Sequence, residues 1–403
     1  MRTFISVEEA HELIRQVLPG PIPEMVPIRD VLGRVVLEEV ISKEAVPPFE
    51  NSAMDGFAVR SGDLEPDGGT LTCIGEVQAG AWPDAVVEAG SCVEIMTGAP
   101  MPMGADAVAP VEWTRREGSR IHIDRGLPLG RHVRPAGQDL KPGDAVLPVG
   151  ARVGAAEVAA LINAGYHQVT VGTRPRVAVI STGDELVPPG ESLAQGQIRN
   201  SNGPSLAALV VESGARVTAQ KTARDSRDHI AEVVAVALAE SDVLVFSGGV
   251  SMGKYDLVRE VLEELGFLFE FWKVRQRPGK PLAFGMLGEV PVFGLPGNPV
   301  SAGVCFGQYV RPSLLRMQGV ADPSRPRWKA RLTDSFPKPQ GLHVFARGIL
   351  SSDDSGLSVR PTGPQGSNLA MSLVRANCIV HLPAAWESAP RGAQVEVEMT
   401  SNA

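Results

Sequence analysis

The chain of 403 residues carries 38 Lys and Arg against 46 Asp and Glu, a formal net charge of -8, with no basic block. That length calls for two to four domains, and the acid excess argues against broad binding to nucleic acid or anionic lipid, so an anionic ligand must be held by a local site. Cys73, Cys92, Cys305 and Cys378 show no paired spacing and the seven His form no ligand pattern, which indicates neither a disulfide framework nor a zinc cluster and fits a reducing cytoplasm.

The first element is a helix. Ser6 and Glu9 form a capping-box pattern, after which Ala10, Leu13, Ile14 and Val17 recur on one face. Acids stand where a signal peptide would have its apolar core, and no run approaches the length of a membrane span, so neither export nor membrane insertion is expected. From Thr70 to Val149 short runs such as "TLTCIGEV", "RIHID" and "DAVLPVG" alternate between Gly and Pro, as expected for a β-rich module. "ARVGAAEVAALINAG" then resumes a helix, which assigns a discontinuous helical base to residues 1–45 and 141–173 and an inserted β-rich domain to 46–140.

Residues 174–318 change character. "RVAVI", "SNGPSLAALVVESG", a strand near Val217, "RDHIAEVVAVALAE", "DVLVF", "DLVREVLEELG" and "VPVFG" alternate strand with helix, the signature of a doubly wound, mostly parallel sheet. Beyond a Pro-rich link, residues 319–403 read as a C-terminal β domain through "LHVFARGIL", "LSVRP", "CIVHLP" and "QVEVEMT".

In such a sheet, ligands bind outside the carboxyl ends of the strands. Three loops therefore face one rim: "STGDEL", "SGGVSMGKYD" and "LPGNPVS". Their glycines let backbone amides approach an anion, while Asp184, Glu185 and Asp256 offer hard oxygens that suit Mg2+ better than Zn2+. "RQRPGKP" adds Arg277 and Lys280 as anion-binding cations, with Lys254 and Arg199 as further candidates. Gly248, Gly253 and Lys254 imitate a nucleotide-binding P-loop, but Tyr255 occupies the place of the small metal-binding hydroxyl. Taken alone, each motif reads more readily as a turn or a helix cap than as a site; three on one rim favour a site for a phosphorylated ligand with a divalent metal. The turn at Asp55 and Gly56 and the loop at Thr97 are not assigned by this reasoning.

In this order, "PPFENSAMDGFAVR", "IMTGAP", "STGDEL", "SGGVSMGKYD", "RPGKPLAFG" and "LPGNPVS" resemble the motifs of the molybdopterin molybdenumtransferases, the MoeA family that includes the C-terminal domain of gephyrin. The resemblance spans essentially the whole chain. It implies an α/β domain like that of the molybdopterin adenylyltransferases, a C-terminal domain resembling a β-barrel, and an elongated homodimer with its site at the subunit junction. The implied reaction inserts molybdate into adenylylated molybdopterin with release of AMP, assisted by a divalent cation, expected to be Mg2+.

Carried over residue by residue, the resemblance makes Asp256, Glu185 and Asp225 the acidic group, with Glu185 and Asp256 as metal ligands. Ser247, Gly248, Gly249 and Ser251 form the pterin-binding loop, Arg277 and Lys280 the anion-binding pair, Pro296 and Pro299 the adjoining turn, and Ser367 a contribution from the C-terminal domain. Asp55 and Thr97 resemble the part that a second subunit supplies. Transient contacts with a molybdopterin adenylyltransferase and with maturation proteins of molybdoenzymes are also implied. The chain departs from the pattern at Arg277, where Lys is common, at Arg199, Asn200 and Ser226, where acids are common, and at Phe57, where Tyr is usual. The alternatives are a carrier or scaffold of the same fold without the reaction, and a P-loop phosphotransferase using Lys254.

Overall fold

The computed structural model describes residues 1–249 and 257–400. Its largest sheet has seven strands in the order Arg2–Ile5, Phe267–Val274, Ala283–Leu287, Val290–Leu295, Val243–Ser247, Arg176–Thr182 and Arg216–Ala223. Four of the six pairings are parallel, and Ala283–Leu287 alone runs antiparallel to both its neighbours. Gly288, at φ +61°, makes the tight return between Leu287 and Val290. The strands alternate strictly between two cores. Val177, Val179, Val243, Val245, Phe293 and Leu295 face one layer, and Ala178, Ile180, Leu244, Phe246 and Val292 the other. Each fully buried aliphatic or aromatic side chain contributes roughly 1.5–3 kcal/mol, so both faces must be covered by helices. They are covered by Asn202–Glu212 and Pro299–Cys305 on the first face, and by Arg227–Glu240 and Leu257–Glu264 on the second.

Two expectations need correction. The amino-terminal segment belongs to this α/β unit and not to the base, because "RTFI" pairs in parallel with Phe267–Val274 and the helix Val7–Val17 buries Val7, Ala10, Leu13 and Ile14 in the same core. The base itself is mainly β. Pro23–Pro27 pairs with Gln168–Gly172, Val40–Ile41 pairs with Ala145–Leu147, and Ala155–Asn163 is its one α-helix among the described residues. Prolines at 21, 23 and 27 remove amide donors that a helix would need, whereas Val26, Val36, Leu161 and Val171 close a small mixed core.

The inserted domain is a six-stranded sheet ordered Ala107–Pro110, Gly56–Val59, Ser91–Ile95, Gly69–Val77, Arg120–Ile123, Thr114–Glu117. At the carboxyl end, Arg327–Leu332, His343–Asp353, Gly356–Pro361, Cys378–Leu382 and Gln394–Met399 close into a five-stranded barrel, since His343–Asp353 pairs with both Gly356–Pro361 and Cys378–Leu382. A short strand from the α/β unit, Gln276–Arg277, adds to it beside His343 and Val344. Between the two domains runs a helix from Pro299 to Met317 with a π segment at Phe306–Val310. Pro312 cannot donate to the carbonyl four residues back, and the wider turn absorbs that gap.

Candidate functional site

A cavity of about 310 Å³ opens at the carboxyl ends of the strands that finish at Thr182, Ala223, Ser247 and Leu295. Glu185, Asp225, Ser247, Gly248, Gly249 and Pro299, each expected on the rim, all line it. The carboxylates arrive there by turn chemistry. Gly183 adopts φ +143°, a backbone conformation that side-chain-bearing residues rarely take, and the Glu185 carboxylate lies where a Cβ would stand. Asp225 is set by its amide, which donates to Asp184 Oδ1 at 3.1 Å.

Two asparagines bind the rim together. Asn200 accepts from the Ser181 hydroxyl at 3.2 Å and the Gly203 amide at 3.0 Å, and donates to Thr222 Oγ1 at 3.0 Å. Asn202 donates to Ser247 Oγ at 2.8 Å and to the Gly297 carbonyl at 2.7 Å, joining two of the three loops. Asn202 was not singled out from the sequence, where "NSNG" reads as a helix start. Thr182 also lines the cavity; its Oγ1 is buried without a hydrogen-bond partner among the described residues.

Of the expected cations, Arg199 lines the cavity, its guanidinium donating to the Pro188 and Glu191 carbonyls, whereas Arg277 and Lys280 do not line it. Arg277 sits in the short strand against the barrel, and the Lys280 ammonium rests 4.9 Å from the Phe4 ring centre. Beside Arg277 is an arginine the sequence reading missed. Arg347 is 1% exposed, donates to Ser372 Oγ and to the Gly366 carbonyl at 3.1 Å each, and has no carboxylate partner among the described residues. Burial, with Arg277 adding to it, pushes its guanidinium down to about 10. A buried cation without a counterion is costly, so Arg347, with the exposed Arg277 beside it, is suited to an incoming anion. Ser367 connects this corner to the rim: its hydroxyl accepts from Asn298 Nδ2 at 3.2 Å and its carbonyl from the Val300 amide at 3.2 Å. Pro296 is buried just before Gly297. A run of contacts thus leads from Arg347 through Ser367, Asn298, Gly297 and Asn202 to Ser247.

Asp55 and Thr97 do not line this cavity; they lie in turns beside the strands Gly56–Val59 and Ser91–Ile95 of the inserted sheet. Asp55 Oδ1 accepts from the Thr97 hydroxyl and the Thr97 amide, each at 2.7 Å, and these two bonds, the hydroxyl first, hold its carboxyl below the usual value. Asp256, Ser251, Lys254 and Tyr255 fall outside the described residues. Among the described residues no three His, Cys, Asp or Glu side chains converge on a metal position. The cavity lining nevertheless includes two carboxylates, Glu185 and Asp225, and the Ser247 hydroxyl, hard oxygens of the kind Mg2+ accepts. No helix among the described residues is long and apolar enough to cross a membrane.

Known families match along the whole chain: the MoeA N-terminal region (domain I and II) over residues 5–165, a "probable molybdopterin binding domain" over 178–316, and the MoeA C-terminal region (domain IV) over 329–399. Molybdopterin molybdenumtransferase 2 of Mycobacterium tuberculosis is 35% identical over 401 residues, covering 97% of this chain and 98% of that protein. The molybdopterin molybdenumtransferase of Haemophilus influenzae is 34% identical over 404 residues, covering 98% of each. Among solved structures, a molybdopterin biosynthesis MoeA protein from Pyrococcus horikoshii superposes with a TM-score of 0.83 at 34% identity, covering 98% of this chain and 99% of that one. Sequence, domain order and fold agree, and the chain belongs to the MoeA family of molybdopterin molybdenumtransferases, enzymes of molybdenum cofactor biosynthesis.

Proposed function

We propose that this chain inserts molybdate into adenylylated molybdopterin and releases AMP. The observation that carries the reading is the cavity at the strand ends, with Glu185 and Asp225 on its rim, Arg347 linked to it through Gly366, Ser367 and Asn298, and Arg277 beside Arg347. The glycine-lined Ser247 loop takes the pterin side, and the arginine pair holds an oxyanion such as molybdate. Mg2+ held by Glu185 and Asp225, with Asp256 as the further expected ligand, would neutralise charge on the adenylate linkage as it breaks. Asn202 fixes the Ser247 hydroxyl and the Gly297 carbonyl relative to each other, so both loops meet the substrate in one geometry.

The reading includes a homodimer in which Asp55 and Thr97 complete the site of a second copy, transient contact with the adenylyltransferase that makes the substrate and with maturation proteins that take the product, and a cytoplasmic setting, consistent with four free thiols. A carrier without the reaction is the second reading. AMP release from adenylylated molybdopterin separates them: release that requires both molybdate and Mg2+, with metal appearing on the pterin, supports the transferase, whereas tight pterin binding without release overturns it.

A further inference from the structure

We propose that Cys73 and Cys92 form a peroxide-sensitive dithiol that closes to a disulfide across the inserted sheet and restrains the strand leading to Thr97. Nineteen positions apart in sequence, the two residues are direct register partners on the parallel strands Gly69–Val77 and Ser91–Ile95. Both pack with the same apolar cluster around Leu71 and Ile121, so their side chains share one face of the sheet. Neighbouring strands lie about 4.8 Å apart, within the roughly 4.4–6.8 Å between Cα atoms that a disulfide spans. A register shift immediately after Cys73 gives that strand local freedom to adjust.

The two thiols differ in access. Cys92 is fully buried, while Cys73 is partly exposed and donates to the Gly75 carbonyl at 3.4 Å. Burial, with the Cys73 sulfur adding to it, pushes the Cys92 thiol up to about 12, which leaves Cys73 as the source of the attacking thiolate. That thiolate attacks one peroxide oxygen; the O–O bond breaks, and hydroxide leaves a Cys73 sulfenic acid behind. The Cys92 sulfur then attacks the sulfenic sulfur. The S–S bond forms, the S–O bond breaks, and the hydroxyl leaves with the Cys92 proton as water, so two thiols lose two electrons and one peroxide becomes two waters.

Ser91–Ile95 runs through Met96 to Thr97, and it pairs with Gly56–Val59, which follows Asp55. The cross-link therefore stiffens the segment whose amide and hydroxyl hold Asp55. Any effect on turnover rests on the proposed role of Asp55, but the bond itself does not, and its test uses no activity. The full chain is treated with excess hydrogen peroxide, its thiols are counted after denaturation, and a non-reducing digest is analysed by mass spectrometry. The expected result is a fall from four free thiols to two, a linked Cys73–Cys92 peptide, and full recovery with dithiothreitol. C73S should keep its three remaining thiols under the same treatment. Conversion of Cys73 to sulfinic acid without the linked peptide, or equally fast thiol loss in C73S, overturns the proposal. Amide exchange at Thr97 should slow by about threefold or more in the linked protein; an unchanged rate overturns the restraint.

Discussion

Replacing Asn202 with Ala removes two hydrogen bonds at once, to the Ser247 hydroxyl and to the Gly297 carbonyl. Loss of such a pair in a half-buried setting costs about 1–3 kcal/mol, so N202A should unfold at lower urea and, if the rim positions substrate, show a raised KM. Asp55 offers a titration test. Its carboxyl is held below the ordinary value of 3.8 by Thr97, so its stabilising contribution is complete above that value and is lost as pH falls through the lowered one. T97V should move the Asp55 titration back up toward 3.8, read by carboxyl NMR; an unmoved titration would assign the shift elsewhere. Glu185 was legible because a carboxylate after a strand-end glycine is a local signal, whereas Asp225, which follows Ala223 and Arg224, was reached only through the resemblance. Asn202 and Arg347 were not legible, since their partners lie at Ser247, Gly297, Gly366 and Ser372, distances along the chain that only the fold closes.

The first helix was readable to its caps. Ser6 Oγ accepts from the Glu9 amide at 3.1 Å and Glu9 Oε2 from the Ser6 amide at 2.7 Å, as the capping box requires. S6A should destabilise the chain by about 1 kcal/mol, visible as a lower Tm with unchanged helix content at room temperature. The strand before it was not readable, because "RTFI" is four residues long and three of them are exposed, leaving no alternation to see. The base was misread for a related reason. "ARVGAAEVAALINAG" does hold a helix, but the pairing of Pro23–Pro27 with Gln168–Gly172 spans the whole inserted domain and leaves no local trace. Gly183 is an element-level prediction of another kind: at φ +143° an alanine is strained, so G183A should lose about 1–3 kcal/mol of stability and displace Glu185, and a turnover loss that persists where the variant is fully folded would separate that displacement from the folding defect.

Across the whole molecule, the junction of the α/β unit and the barrel is lined by histidines that burial keeps neutral. His11 stacks on Tyr309 at 4.8 Å, and His343 stands against Phe345 and His381. Both are pushed from 6.5 down to about 4, His11 and His343 alike chiefly by burial. The unfolded chain therefore takes up protons before the folded one, and stability should decline as pH drops from about 6.5 to about 4, by at most ~1.4 kcal/mol per pH unit for each histidine. Urea titrations across that window should show the decline, and H11F should flatten part of it. Light scattering should give twice the 42.7 kDa chain mass if the homodimer is correct.

The short strand Gln276–Arg277 belongs by sequence to the α/β unit and by hydrogen bonding to the barrel, where it lies against His343 and Val344. Mechanically, it is a tie rod. A rotation of the barrel is transmitted directly to Arg277, and through Gly366 and Ser367 to the loop at Asn298, without passing through either hydrophobic core. The spacing of Arg277 and Arg347 thus reads out the angle between two domains, and if they hold the anion, a partner that grips the barrel has a handle on the site at its far side.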